Sequence, residues 1–550
     1  MVLAGHDLYS QVICAWRKTE AQQTQHRLSS AGYRFQSYLR PQQNMDADSI
    51  YTLPVVVHVI HTGTPIGAPD NPTDAMINAM ISTLNNAYRK NGSSFGGVDM
   101  KIQFQLATRS PNCGSTTGIN RVNGSIVPNY ASGGITNYNA TGSAPETAIK
   151  RLSRWSNTDY INIWIVNKIN GDSINTGGYT YFPEYNSAIT DGLVLNAIVV
   201  NGTNKTIVHE MGHYFYLYHT FEDGGTETTC ASNTDCTSQG DMICDTEPCL
   251  LTYNCTATTN PCTNNPFVVT DALHNYTVQN NYMGYTNCQW MFTQAQKTRA
   301  RASLFAFRNG LISSGALTAP PASSPATACL PTALYGLSQY FGVEQVDFNT
   351  LHVYSNTSEA DSSIYFDRTC NQSTSVEKGK TYTLTVTASY SNTERIKVFI
   401  DYNNNGNFND FGEAVMNDLQ GVASTSVTIP TNLVIGSRLR MRVLGDNPAL
   451  PDPSSCQLSG TSTDGAGQIE DYTLVILPKK IYSVSSGPWN AASTWSCNCI
   501  PQSDDEVTIK ATHTVTVTAA MGAVQCGKLI LESGSNFDAA GSLFKIVGKY

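Results

Sequence analysis

The sequence is poor in charged residues and has no long apolar run, and these two absences exclude several classes of protein. Of its 550 residues only 14% are charged, and the formal net charge is -9. Nucleic-acid-binding proteins present a basic face, which this charge balance does not favour. No stretch of about 18 apolar residues occurs, so we expect no membrane span. With 41% hydrophobic residues and abundant Ser, Thr, Asn and Gly, the composition is typical of folded, β-rich extracellular domains.

The N-terminal residues also lack the apolar segment of a secretory signal. Residues 1–49 are polar, and we interpret them as a leader or the remnant of a pro-segment. The cysteine usage nevertheless predicts a secreted, extracellular protein, so we expect the natural N-terminus to be incomplete here. The final residues read like part of a strand, and we expect the natural product to continue beyond residue 550.

The 15 cysteines include no C-x-x-C pair in the stretch where they are concentrated, which argues against a zinc ribbon there. Disulfides formed in an oxidising compartment are the better interpretation. The odd total leaves at least one thiol unpaired, and the isolated Cys14 is the candidate. Near the C-terminus, Cys497 and Cys499 predict a local disulfide. The concentrated cysteines are Cys230, Cys236, Cys244, Cys249, Cys255, Cys262 and Cys288.

Hydrophobic periodicity divides the chain into an α/β region and two β regions. The apolar run Leu53–His61 predicts a buried strand, and Thr73 is placed to cap an amphipathic helix after it. Further strands and helices alternate, among them a helix over 145–155 and a strand over 191–200, and Thr293 with Gln296 predicts a capping box before a later helix. This order predicts an α/β (α+β) domain with a twisted mixed sheet. Short alternating strands then predict an all-β sandwich and a second β-rich module. The predicted boundaries are 50–312 for the α/β domain, 313–328 for a Pro/Ser/Ala linker, 329–478 for the sandwich and 479–550 for the last module, which we expect to be incomplete.

The chemistry concentrates in the segment HEMGHYFYLYH. His209 and His213 are four residues apart, so on a helix they share a face and can bind one metal ion. Glu210 projects beside that metal, where a carboxylate can take a proton from a metal-bound water. His219 can supply a third imidazole if the chain turns sharply after the helix. Three neutral imidazoles and an open position suit catalytic zinc.

The spacing to His219 matches the metzincin signature H-E-x-x-H-x-x-G-x-x-H, and Met283 lies in a tight NYMGY turn as a Met-turn requires. Tyr216 stands where that signature has Gly. Glycine there allows a left-handed backbone that swings the chain to the third His, and Tyr costs on the order of 1 kcal/mol. If the chain cannot turn, Glu222 or Glu247 becomes the alternative third ligand.

Several segments together resemble the pappalysin/cytophagalysin metalloproteases over about residues 50–312. The resemblance implies a metzincin-like fold, one catalytic zinc, protein or peptide substrates, and Met283 as the Met-turn methionine. It implies Glu210 as the general base and Tyr285 as a donor to the tetrahedral oxyanion. Packing under the zinc is the alternative role for Tyr285. The segments are HEMGHYFYLYHTF, LPVVVHVIH, GDMICDTEP, NYMGYTNC and FTQAQ.

The same resemblance implies calcium in the GDMICDTEP segment, with Asp241 and Asp245 as the ligands and disulfides around them, including one from Cys244 to Cys288. Two aspartates in a loop are also common as turn residues. Calcium is therefore an expectation of the resemblance alone.

The second region resembles the GEVED-type β domain of secreted bacterial enzymes, through DYNNNGNFNDFGE and GQIEDYT. Asp401, Asn403 and Asn405 follow the first half of a calcium loop. The EF-hand glutamate position holds Gly412, and Glu413 comes one residue late. We therefore expect an Asn/Gly hairpin that holds calcium weakly, in a domain that binds a surface, binds substrate or acts as a spacer.

Substrate preference can be argued only negatively. Family members that favour arginine carry an acidic residue just past the Met-turn, where this chain has Gly284, Asn287 and Gln289. We expect weak arginine selectivity. The segment 177–183 is the expected edge strand for an extended substrate. The alternative function is a surface adhesion or binding protein with an inactive protease-like domain, which Tyr216 keeps open.

Overall fold

The structure is a computed structural model in which the chain divides into two compact units. The first comprises Met1–Pro320 and Val353–Ser362, and the second comprises Pro321–His352 and Ser363–Tyr550. The structure describes residues 13–14 (backbone only), 49–91, 96–138, 141–183, 189–267, 278–333, 341–354, 364–388, 393–448, 452–458 and 467–548. Most of the expected pro-segment, residues 1–49, lies outside them, and so does the Cys14 side chain, for which we expect an unpaired thiol.

The first unit combines short strands with a few helices. Its strands are β1 (Ile13–Cys14), β2 (Tyr51–His61), β3 (Ile102–Leu106), β4 (Ile119–Asn123), β5 (Ile135–Thr136), β6 (Ala144–Pro145), β7 (Ile161–Val166), β8 (Thr176–Thr180) and β9 (Leu193–Asn196). Its helices are α1 (Asp74–Tyr88), α2 (Tyr130–Gly133), α3 (Glu146–Lys150), α4 (Thr206–Tyr214), α5 (Gln294–Phe307) and α6 (Gly310–Ser313). No helix in the described part of the chain is long and apolar enough to cross a membrane.

A mixed sheet runs through the first unit in the order β1-β8-β9-β7-β2-β3, and β4 also pairs with β2. Strand β2 is parallel to β3, β4 and β7, and β7 is parallel to β9. Strand β8 is antiparallel to β9, and its other edge pairs with β1 in parallel. The expected mixed sheet is therefore present, with its antiparallel strand beside the edge.

The apolar faces of the sheet explain how the helices are held. On one face, Val55, Ile163 and Leu195 form a core with residues of α1, α4 and α5, as the periodicity of α1 predicts. On the other face, Trp164 and Val194 pack with Tyr216 and other aromatic residues. Thr73 caps α1 by accepting a hydrogen bond from the Met76 backbone. Helix α4, which carries the HExxH segment, is thus buried against the sheet.

Three boundaries differ from the sequence-based expectation. The expected strand 191–200 ends at Asn196, because its side chain accepts a bond from the Ile198 N–H and starts a 3₁₀ turn. The expected helix 145–155 is shorter, since α3 ends at Lys150. The expected linker 313–328 begins inside the first unit, because the buried Ala316 accepts backbone hydrogen bonds from residues 108 and 109.

The second unit begins with a two-sheet β arrangement, as the expected sandwich requires. Its strands are β10 (Thr332–Ala333), β11 (Gln345–Phe348), β12 (Leu351–Tyr354), β13 (Tyr365–Asp367), β14 (Ser373–Glu377), β15 (Thr381–Thr387), β16 (Glu394–Ile400), β17 (Ala414–Gln420), β18 (Val422–Thr428), β19 (Arg438–Asp446), β20 (Gln457–Leu458) and β21 (Gln468–Leu477). One sheet has the order β12-β11-β15-β18, and the other has β13-β21-β19-β16-β17 with β14 also on β21. Alternate residues such as Val346, Phe348, Leu384 and Val386 are buried.

The last module is built from stacked parallel strands. These are β22 (Lys480–Tyr482), β23 (Gly487–Pro488), β24 (Glu506–Ile509), β25 (Thr514–Thr516), β26 (Ala523–Cys526), β27 (Lys528–Leu531), β28 (Asn536–Asp538) and β29 (Leu543–Ile546). They form the parallel sets β22-β24-β27, β23-β25-β28 and β26-β29. Trp489 and Trp495 are buried at the centre, and the Trp495 indole N–H donates to the Trp489 carbonyl. The C-terminal region is thus β-rich, as expected.

Candidate metal centre

Helix α4 places two histidines of the HExxH segment on the same buried face. His209 and His213 are one turn apart, and both are at least 95% buried. Val208, Met211 and Phe215 of the same segment belong to the core below the sheet. Apolar packing therefore fixes the rotation of the helix and with it the direction of the two imidazoles.

The helix ends in a Schellman motif centred on Tyr216. The Leu217 N–H donates to the Gly212 carbonyl at 2.9 Å, and the Tyr216 N–H donates to the His213 carbonyl at 2.9 Å. Tyr216 has φ of 73°, the left-handed conformation expected for the glycine that it replaces. Its ring is fully buried and stacks on Phe307 at a centroid distance of 5.9 Å. Packing of the ring offsets the backbone strain, so the chain turns without glycine.

This turn brings His219 to the two helix histidines. The Nε2 atom of His213 lies 3.1 Å from Nε2 of His209 and 3.1 Å from Nε2 of His219. The three imidazoles are the one group of three or more His, Cys, Asp or Glu side chains, among the described residues, whose ligand atoms lie within 4.8 Å of one another. All three are buried.

Each imidazole is held through its other ring nitrogen. His209 Nδ1 lies 2.8 Å from the Tyr282 carbonyl oxygen, and His213 Nδ1 lies 2.7 Å from the Leu217 carbonyl oxygen. His219 Nδ1 lies 3.1 Å from Glu222 Oε2. An acceptor at Nδ1 fixes the tautomer that leaves the Nε2 lone pair for a metal. Burial lowers the pKa of His209 to about 3, which keeps that imidazole neutral.

The two alternative third ligands occupy other positions. Glu222 contacts the Nδ1 side of His219, away from the nitrogen that faces the other imidazoles. Glu247 accepts hydrogen bonds from Asn260 and Asn265 in the cysteine-rich loop. The structure therefore groups His219 with the two helix histidines. Glu222 contacts the outer nitrogen of His219, and Glu247 is hydrogen-bonded within the cysteine-rich loop.

Met283 lies directly beneath α4. It is fully buried, and its sulfur occupies the space beside Gly212, where a Cβ would come within 2.2 Å of Sδ. The turn that carries it is held by Asn281, whose side chain accepts from the Met283 N–H. Asn281 also exchanges two hydrogen bonds with Gln296 of the α5 capping box, at 2.8 and 3.0 Å. The predicted capping box thus also anchors the Met-turn, which the sequence did not indicate.

Tyr285 and Glu210 flank the three imidazoles. The Tyr285 hydroxyl lies 3.2 Å from His219 Nε2, and its ring centroid is 5.4 Å from that of His209. Glu210 is fully buried beneath β8. A Cβ at Gly178 of β8 would lie 3.2 Å from Glu210 Cγ, so the small residue on the edge strand leaves room for the carboxylate.

A cavity of about 140 Å³ opens beside Tyr285. Apolar side chains form most of its described wall, and no Asp or Glu is among the described residues that line it. Cys249 also lines it, and burial raises the pKa of that thiol to about 12, so the thiol is neutral. The apolar lining residues are Phe221, Leu250, Ala257, Pro261, Phe267 and Val278.

Disulfides cross-link the loop between His219 and the Met-turn, as the cysteine pattern predicts. They join Cys230 to Cys262, Cys236 to Cys244, and Cys255 to Cys288. The expected bond from Cys244 to Cys288 is therefore wrong, because each of these cysteines has a different partner. Spacing in a loop of many cysteines does not determine which pairs meet. The expected local bond between Cys497 and Cys499 is present.

The first pair of expected calcium ligands has protein partners. Asp241 is buried and accepts bonds from the Ile243 N–H and the Thr246 hydroxyl, and burial raises its pKa to about 7. Asp245 accepts the Ala295 N–H at the start of α5 at 2.8 Å. Both carboxylates therefore act within the loop structure. The second expected set, Asp401, Asn403 and Asn405, lies together in the β16–β17 loop.

Comparisons with known proteins place this centre in a family. Residues 145–305 match the peptidase M43 family model, described as pregnancy-associated plasma protein-A, and residues 395–475 match the GEVED domain. An extracellular metalloprotease of Arthroderma otae is 28% identical over 286 residues, which are 50% of this chain and 84% of that protein. One of Pyricularia oryzae is 28% identical over 275 residues, 48% of this chain and 78% of that protein.

Among solved structures, a mutant of promirolysin from Tannerella forsythia is 26% identical, covering 54% of this chain and 92% of that chain with a TM-score of 0.39. The two matched models agree with the two resemblances of the sequence, and the curated relatives carry the same enzymatic description. Residues 145–305 accordingly match the pappalysin (M43 peptidase) family of metalloproteases, and residues 395–475 match the GEVED domain.

Proposed function

We propose that the protein is a secreted zinc endopeptidase with a metzincin-like catalytic domain, in which His209, His213 and His219 hold the metal. The observation that carries the proposal is the convergence of three buried Nε2 atoms whose Nδ1 partners fix the ligand tautomer. Three neutral nitrogen donors with room for a fourth ligand suit catalytic zinc. Zinc, when bound, supplies a Lewis acid that polarises the peptide carbonyl and acidifies water.

Glu210 is the general base in this proposal. It lies between the two helix histidines in sequence, and its carboxylate is buried under the edge strand that we expect to hold the substrate. From there it can take the proton of the attacking water and pass it to the leaving amine.

Tyr285 is the proposed oxyanion donor. Its hydroxyl lies 3.2 Å from His219 Nε2, so it reaches the side of the centre where the carbonyl oxygen develops charge. The ring also packs against His209, His219 and Phe221, so it contributes to packing in addition. A Tyr285→Phe variant separates the roles, because it keeps the ring. We expect about 10²-fold lower kcat with zinc content and KM nearly unchanged.

An extended substrate would pair with β8, the strand directly above Glu210. One edge of β8 pairs with β9, and the other pairs only with the two residues of β1, among the described strands. Main-chain pairing on that edge would place the scissile bond beside the general base. The position of β1 on the same edge favours a pro-segment over a leader for residues 1–49, and we propose that this segment blocks substrate. Removal of residues 1–48 should then raise peptidase activity, and unchanged activity would refute this blocking role.

The cavity beside Tyr285 is the proposed pocket for a substrate side chain. Its described lining is mostly apolar and contains no charged side chain, so an arginine guanidinium would lose its hydration without gaining a charged partner. We therefore propose a preference for apolar side chains and weak arginine selectivity. A peptide library in which arginine dominates at the cleavage site would contradict this, and cleavage next to Leu, Met or Phe would support it.

Secretion and the role of the accessory modules complete the proposal. The curated relatives are named extracellular, and the loop disulfides suit an oxidising compartment. The GEVED domain and the stacked β module would then act outside the cell, in binding a surface or a substrate.

Casein hydrolysis by matched variants tests the catalytic assignment. We expect Glu210→Gln to keep zinc but to lose nearly all activity, since it preserves size and removes the base. His219→Ala should lose both zinc and activity. Thr228→Ala, at an exposed position of the cysteine-rich loop, is the control and should match the wild type. Zinc retained in full by His219→Ala would refute the ligand set, and equal, negligible hydrolysis by wild type and Glu210→Gln would favour an adhesive protein with an inactive domain.

A further inference from the structure

The loop between β16 and β17 in the second unit contains two fully buried carboxylates that face the loop backbone. Asp401 is 0% exposed and Glu413 is 1% exposed, although the residues between them are largely exposed. No Lys, Arg or His forms an ion pair with Asp401, Asp410 or Glu413 among the described ion pairs. A loop that buries negative charge in this way needs a compensating positive charge.

The side chains of the loop form hydrogen bonds with one another and with the loop backbone. Asp401 Oδ1 accepts the Asn405 N–H at 3.0 Å, and its Oδ2 accepts the Gly406 N–H at 2.7 Å. The amide nitrogens of Asn403 and Asn405 both donate to Asp410 Oδ2 at 2.8 Å. The loop therefore offers carboxylate and amide oxygens as ligands, and its sequence contains no nitrogen or sulfur ligand of a softer metal.

Glu413 provides an independent observation. Its Oε1 accepts the Asn403 N–H at 3.3 Å, so the side chain points back into the loop. Its Oε2 is buried and has no hydrogen-bond partner. An Asn/Gly hairpin in which Asp401 merely caps the turn explains the bonds of Asp401. It does not explain a buried carboxylate oxygen on Glu413 that nothing satisfies.

The spacing of the oxygen-bearing residues along the loop indicates which cation would bind the unpartnered carboxylate oxygen of Glu413. Asp401, Asn403 and Asn405 occupy positions 1, 3 and 5 of a calcium loop, and Gly406 at position 6 has φ of 81° for the sharp turn. Glu413 follows the usual glutamate position by one residue, yet the fold returns it to Asn403. Calcium accepts six to eight oxygen ligands in irregular geometry, whereas magnesium requires a near-ideal octahedron.

We propose that the β16–β17 loop is a calcium site, with Asp401, Asp410 and Glu413 as carboxylate ligands and Asn403 and Asn405 as amide ligands. The three carboxylates do not all lie within 4.8 Å of one another, since the described group that meets this limit is the histidine triad. Calcium therefore draws the loop together as it binds. The ion neutralises the charge of Asp401 and Glu413 and fixes the hairpin at one end of the β-sheet.

The test uses the full chain loaded with zinc and carrying Glu210→Gln, so that autolysis does not interfere. Calorimetric titration with CaCl₂ should give a Kd of roughly 10⁻⁴–10⁻³ M, the range of extracellular calcium modules. Adding Glu413→Gln should weaken binding at least about tenfold, because it removes one carboxylate ligand. Asp418→Asn, on the neighbouring strand β17, is the matched control and should leave the Kd unchanged. MgCl₂ at equal concentration should bind more weakly.

Thermal unfolding gives a second readout, because calcium should reverse the order of stability of the parent and the Glu413→Gln variant. Without calcium, Glu413→Gln should unfold at the same temperature as the parent or higher, since it removes a buried charge. In 10 mM calcium the parent should become the more stable of the two. Absence of calcium binding by the parent at about 10 mM, ten times the weakest expected Kd, would overturn the proposal. An affinity unaffected by Glu413→Gln would also overturn it, since binding would then lie elsewhere.

Discussion

The sulfur of Met283 fills the position that a side chain at Gly212 would need. A Cβ added to Gly212 would lie 2.2 Å from Met283 Sδ and 3.1 Å from its Cε. Gly212 lies within α4 between the two helix ligands, where Ala would normally favour the helix by about 1 kcal/mol. Its presence is therefore explained by the close approach of the Met-turn to the metal-binding helix.

Gly212→Ala should consequently destabilise the protein and weaken zinc binding, in spite of the higher helix propensity of Ala. The added methyl group pushes Met283 or the helix aside, and overpacking of a core typically costs about 1–3 kcal/mol. Chemical denaturation and zinc content of the purified variant measure the two effects. An Ala variant more stable than the wild type would show that the Met-turn moves aside without a cost in stability.

A double variant provides the control for this contact. Met283→Ala alone should destabilise by about 2–5 kcal/mol because it leaves a cavity. If Gly212 and Met283 act through one contact, Gly212→Ala combined with Met283→Ala should be less destabilised than the sum of the single variants. Strict additivity would mean that the two residues do not interact as their distance indicates.

At Tyr216 the packing of the buried ring offsets the strain of the left-handed backbone, and two substitutions separate these effects. Tyr216→Ala and Tyr216→Gly both remove the buried ring, which typically costs about 3–5 kcal/mol. Only Gly tolerates φ of 73° without strain, so Tyr216→Gly should be more stable than Tyr216→Ala by about 1 kcal/mol. Denaturant unfolding measures the difference. Equal stability, or a more stable Ala variant, would mean that the turn relaxes out of the left-handed conformation.

Local signals in the sequence were sufficient for the elements around the centre. The helical spacing of His209 and His213, the cap at Thr73 and the capping box at Thr293 all depend on residues within one turn of each other, and all are present as expected. The left-handed turn at Tyr216 also followed from the position that the signature reserves for glycine. Short-range geometry restricts such features strongly.

The supporting contacts could not be predicted because they join distant parts of the chain. The Tyr282 carbonyl that holds His209 is a backbone atom and leaves no mark in the sequence. The Asn281–Gln296 pair and the disulfide from Cys255 to Cys288 depend on how the long loop folds back. For the same reason Glu222 could be predicted only as an alternative ligand, although its contact is with the outer nitrogen of His219.

The contact between Glu222 and His219 predicts that zinc affinity depends on the side chain at position 222. Glu222→Ala should lower zinc affinity about 10–100-fold, because it removes the acceptor that orients His219. Glu222→Gln should have a smaller effect, since its amide oxygen can still accept from Nδ1. Competition with a chelator of known affinity measures both. If Glu222→Ala lost zinc as completely as His219→Ala, the glutamate would be a ligand; if it lost none, the contact would be incidental.

Glu394 at the start of β16 predicts a pH dependence of stability in the second unit. Its carboxylate is fully buried, and one oxygen accepts the Gly342 N–H at 2.9 Å while the other has no partner. Burial, with Glu344 and Asp446 nearby, raises the pKa of Glu394 from 4.5 to about 8. The folded protein therefore holds a proton that the unfolded chain has already lost between these two values.

Stability should accordingly fall as the pH rises from about 5 to about 8, and level off above that. Glu394→Gln removes this charge and should raise the free energy of unfolding at pH 8 by at least about 1 kcal/mol, with little effect near pH 4.5. Unfolding of the full chain at both pH values measures the change, with Asp418→Asn as the control. A Glu394→Gln variant with the wild-type pH profile would mean that the carboxylate gains solvent or a partner when it ionises, so that the fold bears no penalty for burying it.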